Sequence, residues 1–72
     1  MSPEDRAIDL ITNWLTGQIE DGALRAGLSA DGLTGEGAGA VEELLAELDK
    51  PDVSRGHLQM VGREAVEALA LG

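Results

Sequence analysis

Side-chain catalysis needs a nucleophile beside a base, or two carboxylates in contrasting environments. This sequence has a single histidine, His57, and no cysteine. His57 falls near the expected start of a helix, with no partner assignable to it, and reads as a structural or solvated histidine. A metal site needs several ligands in one place. Asp31-Gly32 lacks the alternating oxygen ligands of a calcium loop. The run GLTGEGAG, residues 32 to 39, lacks the Lys-Ser/Thr of a phosphate-binding loop and follows no expected strand. No catalytic, cofactor-binding or metal-binding residue is therefore nominated, and the chain is expected not to be an enzyme.

Carboxylates are what the sequence has in quantity. Fourteen acids stand against five bases, for a formal net charge of −9. Such a surface repels phosphate backbones and anionic lipid heads. It suits a basic protein partner, or simple solubility. The charge is uneven: residues 1 to 49 hold eleven acids and two bases, and residues 50 to 72 hold three of each. Glu20-Asp21 and Glu47/Asp49 fall near the expected C-terminal ends of two helices. Acids there oppose the helix dipole at a cost of up to ~1 kcal/mol each, which Arg25 and Lys50 partly relieve. Glu20, Asp21, Glu42, Glu43 and Glu47 are the acidic partner-binding candidates. Arg55 and Arg63, with Lys50, are their basic counterparts, able to meet those acids head-to-tail on a second copy.

These groups must be positioned by a small all-α domain. Seventy-two residues make one domain at most, with a thin stability margin. Trp14 is the sole aromatic, so the core is drawn from Leu, Ile, Val and Ala. Ser2, Pro3, Glu4 and Asp5 form a helix start. Ala7, Ile8, Ile11, Trp14, Leu15 and Ile19 then recur at helical spacing, which predicts a helix over residues 3 to 20 with Gly22 as its stop. Residues 22 to 39 hold six of the ten glycines and read as a flexible glycine-rich loop, with at most one short turn around Ala23 to Ala26. A second helix is expected over 37 to 49, with Val41, Leu44, Leu45 and Leu48 on one face. It ends at Lys50-Pro51, since the residue before proline avoids the helical region. Asp52 or Ser54 caps a third helix over 54 to 71, whose inward stripe is Leu58, Val61, Ala65 and Leu69. The architecture is thus a three- to four-helix domain with the loop between helices one and two. Met60 and Leu71 project opposite that stripe. They read either as an interface or as ordinary exposed apolar residues. Leu10 and Trp14 lie at the edge of the first stripe, where a tryptophan more often joins the core.

Two family resemblances overlie this reading. Ile19-Glu20-Asp21-Gly22-Ala23-Leu24-Arg25-Ala26-Gly27 resembles the I-x-x-G-x-L-x-x-G segment after the first helix of GntR-type winged helix-turn-helix domains. Val53-Ser54-Arg55-Gly56 is similar to the start of their recognition helix, and Glu67 to Gly72 to its end. The resemblance implies a helix entering the major groove, with Ser54 and Arg55 as contact positions. The chain departs from that pattern at Gln59, where an arginine is usual. Its helix is about three residues longer, its connection after Gly27 is longer and glycine-rich, and there is no wing. Five bases are also few for phosphate contacts. Ser29-Ala30-Asp31-Gly32-Leu33 resembles the region before the second helix of acyl carrier proteins. Gly32 stands where that family has its modified serine, so the hydroxyl that would carry the arm is missing.

The resulting expectation is a non-catalytic, acidic protein–protein interaction module: an adaptor, docking or homotypic assembly domain. Its partner would be a protein with a basic surface, or a second copy. An acidic inhibitor mimicking nucleic acid is a rival reading, and a reduced winged-helix DNA-binding domain is another. No cofactor is expected. No apolar run approaches the ~20 residues of a membrane span, and the N-terminus has no basic signal-peptide region. The expected location is cytoplasmic, for a whole protein or for the N-terminal domain of a larger one.

Overall fold

Ser2 and Pro3 start the first helix as their chemistry dictates. In the computed structural model, which describes residues 2 to 71, helix α1 spans Pro3–Leu15. Met1, and Gly72 at the end of the stretch likened to a recognition helix, lie outside the described residues. The Ser2 hydroxyl accepts from the Asp5 N–H at 3.1 Å, satisfying one of the helix's orphan donors. Helix α2 follows at Asp21–Gly27, α3 at Gly35–Leu48 and α4 at Arg55–Leu71. No strand is present among the described residues. The domain is all-α.

Two boundaries differ from the sequence reading. Helix α1 ends at Leu15, five residues before the expected end at residue 20. The stop is Gly17, with φ +83, and not Gly22. The Gly17 N–H bonds the Trp14 carbonyl at 3.1 Å, and the Gln18 N–H bonds that of Asn13 at 2.7 Å. This pair of reversed bonds around a left-handed glycine satisfies carbonyls the helix would otherwise leave open. The second difference is the segment 22 to 39. It is not one loop: α2 fills its first part and α3 begins at Gly35, so only residues 28 to 34 between them are non-helical. The reason is burial. Leu24 is fully buried, and Leu28 and Leu33 are nearly so. Each buried leucine is worth roughly 1.5–3 kcal/mol, more than the ~1 kcal/mol a helical glycine costs.

Helix α4 packs against both α1 and α3, and α2 bridges α1 and α3 along the side. The core joins Ala7, Ile11 and Trp14 of α1 to Val41 and Leu44 of α3, with the predicted α4 stripe of Leu58, Val61, Ala65 and Leu69 between them. Ile8, Leu15, Ile19, Leu45 and Leu48 are half-buried around it. Two helical glycines let backbones approach. A Cβ on Gly62 would meet the Trp14 ring at 2.7 Å, and one on Gly37 would meet Leu69 at 3.0 Å. Ser54 is the residue that caps α4: its hydroxyl accepts from the His57 N–H at 3.2 Å.

Candidate functional site

The Schellman turn at Gly17 redirects the chain so that Asp21 becomes the first residue of α2. Asp21 therefore sits at a helix N-terminus, where its charge is favourable, and not at the C-terminal end the sequence suggested. Its carboxylate is the meeting point of three helices. The Trp14 indole Nε1–H donates to Asp21 Oδ1 at 2.7 Å. Arg55 Nη1, from the start of α4, donates to the same oxygen at 2.8 Å. Trp14 is buried, Asp21 half-buried and Arg55 exposed. The Trp14 hydrogen bond, followed by that of Arg55, holds the Asp21 carboxyl below the usual carboxylate range. These residues line a cleft of about 530 Å³, with Leu15, Ile19, Glu20 and Gln59 among its other walls.

A second cluster closes the C-terminal end of α3. Lys50 Nζ lies 3.1 Å from Glu47 Oε1, and His57 Nε2 lies 3.6 Å from the same oxygen. Lys50, with a smaller contribution from His57, keeps the Glu47 carboxyl below its ordinary value. Asp49, which caps α3, pairs with Arg25 of α2. Arg25 and Lys50 thus relieve the misplaced acids as the sequence suggested. The Arg25–Asp49 pair is exposed on both sides and weak, worth about 0–1 kcal/mol, whereas the Glu47 side chain is largely covered between its two partners.

The other nominated residues stand apart. Glu20 is exposed and makes no capping hydrogen bond. Glu42 and Glu43 are exposed on α3, and Arg63 is exposed on α4. None of the three forms an ion pair among the described residues, and Arg63 leaves Glu67, four residues on along α4, unpaired. Met60 and Leu71 face solvent, at 51% and 89% exposure. Asp21 with Arg55, and Glu47 with Lys50, were matched across two copies in the sequence reading. The structure joins both pairs within one chain. Sequence reasoning missed the polar role of Trp14 altogether. Asp21 and Arg55 are 34 positions apart, and no local pattern announces such a pair.

A second cleft of about 450 Å³ runs between the start of α1 and the α2–α3 connection, lined by Arg6, Leu10, Ser29 and Asp31 among others. Among the described residues no three His, Asp or Glu side chains group as metal ligands. No helix among them is long and apolar enough to cross a membrane. Comparison with protein families, with curated proteins and with solved structures finds no match.

Proposed function

We propose that this domain is a non-catalytic interaction module that docks on a basic surface of another protein. One observation carries the reading: the charge left over once the chain has paired its own residues. Arg25, Lys50 and Arg55 are each tied to an acid of the same chain. Arg6 and Arg63 are the cations without an ion pair among the described residues, and eleven of the fourteen acids have none. The unpaired acids include Glu4, Asp5 and Asp9 on α1, Glu42 and Glu43 on α3, and Glu64 and Glu67 on α4. A negative potential spread over three helices speeds encounter with a basic protein and penalises acidic ones. It favours a protein surface over mimicry of a single row of phosphates. Met60 and Leu71, exposed on the outer side of α4, add apolar contact area where steering alone gives little affinity.

The test is an affinity pull-down from the source cell, run beside a Glu42→Lys, Glu43→Lys, Glu47→Lys variant. The wild type should retain a discrete basic protein that the variant and high salt both release. Identical captures by wild type and variant would reject the reading. Sedimentation equilibrium at low and high salt decides whether that partner is a second copy.

A further inference from the structure

The cleft beside Trp14 already holds a cation, and that cation comes from elsewhere in the chain. Arg55 arrives from 34 residues away and rests on one oxygen of Asp21. From this geometry we infer that the cleft is the seat for an arginine or lysine side chain of the partner, which takes the place Arg55 holds on Asp21. The inference rests on the basic-partner reading above and names where that partner's key side chain binds.

Four features support the exchange. Trp14 is buried and its indole N–H fixes the Asp21 carboxylate, so the acceptor is oriented before any ligand arrives. The side chains of Arg55 and Asp21 are 62% and 43% exposed, so the internal pair is solvent-screened and easily displaced. Asp21 Oδ2 accepts no hydrogen bond among the described residues, which leaves acceptor capacity for a planar, two-pronged guanidinium. Finally, the half-buried Leu15 and Ile19 give an apolar wall for the methylene stem, and the exposed Glu20 adds a second negative charge at the rim. Arginine fits better than lysine, because its rigid fork matches a carboxylate in two bonds.

Trp14 supplies the readout, since it gives the only indole N–H signal in the protein. The probe is the peptide acetyl-Leu-Arg-Ala-Arg-Leu-amide, titrated into ¹⁵N-labelled protein. The expected result is a saturable shift of the indole resonance. Arg55→Gln removes the internal competitor and should tighten binding about two- to fivefold, the release expected from a weak exposed pair. Asp21→Asn keeps an acceptor for the indole but loses the charge, and should abolish the saturable shift. Glu42→Gln with Glu43→Gln, which belong to the docking surface but lie outside the cleft, should weaken binding only through lost long-range attraction, far less than Asp21→Asn does, and should leave the saturable shift in place. The inference is overturned if the indole does not respond, or if Arg55→Gln binds no more tightly than wild type. It is also overturned if the α3 variant weakens binding as much as Asp21→Asn does. In that last case the peptide is still held by the acidic surface, so the basic-partner reading survives without the cleft. Should Asp21→Asn fail to fold, the Arg55→Gln comparison decides alone.

Discussion

The ring of Trp14 rests on the bare backbone of Gly62, so that a Cβ at Gly62 would stand 2.7 Å from Trp14 Cζ3. A glycine in the middle of α4 costs about 1 kcal/mol relative to alanine, yet here alanine has no room. The contact is with a buried ring held by its hydrogen bond to Asp21, not with the loose end of a side chain. Overpacking of this kind costs about 1–3 kcal/mol. Gly62→Ala should therefore destabilise the domain by about 1–2 kcal/mol despite its better helix propensity. Urea denaturation followed by circular dichroism checks this, and a variant more stable than wild type would show that the helices do not approach so closely.

Gly39 makes the opposite case. It lies in the interior of α3, with nothing within 4 Å of an added Cβ and an ordinary negative φ. Gly39→Ala should stabilise the fold by about 0.5–1 kcal/mol, through helix propensity and a less disordered unfolded chain. A melting temperature that falls would mean Gly39 has a contact the free domain does not reveal.

Gly17 is required by conformation and not by space. Its φ is +83 and its Cβ would meet no atom within 4 Å. Gly17→Ala should cost about 1–2 kcal/mol, the usual penalty for an L-residue in the left-handed region. Gly17→Asn should recover part of that loss, since asparagine tolerates this region better. Equal stability of all three proteins would argue that α1 does not end in this turn.

Acid should weaken the Asp21 junction. The folded-state pKa of Asp21 lies below the unfolded value, chiefly through the Trp14 hydrogen bond and then through Arg55. The unfolded chain then binds this proton more readily than the folded one. The stabilisation is full above the ordinary carboxylate pKa of about 4 and fades as pH falls through the lower folded value. Relief of repulsion among the other acids acts in the opposite direction, so the difference between proteins is the informative quantity. Wild type should be more stable than Asp21→Asn at neutral pH, and the gap should close in strong acid. A gap that stays constant with pH would remove the carboxylate charge from the account.

Much of the fold could be read from local chemistry. The Ser2-Pro3 start, the stop before Pro51, and the inward stripe of α4 all follow from capping, proline sterics and a 3.6-residue period. The errors also have local causes. Ile19 continues the apolar period of α1, and that continuity hid the Thr16-Gly17 stop, which a stricter weighting of glycine would have found. It is half-buried, packing on the core from the turn beyond the helix. Helix α2, with glycine at two of its seven positions, has no propensity signal strong enough to mark it. The candidate site was legible only in part. Charge marks Asp21 and Arg55 in the sequence, but the apolar period marks Trp14 only as a core residue, and the acceptor of its N–H is set by the turn that brings Asp21 beside it.

By itself, then, the sequence determined an all-helical chain with an aliphatic core and an excess of negative charge, because periodicity, composition and ionisation are properties of neighbours or of sums. Only the tertiary structure decided that a glycine-rich stretch would hold a helix. It also decided that three of the five cations would be spent inside the chain, and that Asp21, Trp14 and Arg55 would share one cleft. Those outcomes depend on burial and on contacts between residues far apart in sequence. Loop closure and packing set such contacts, and no spacing rule encodes them.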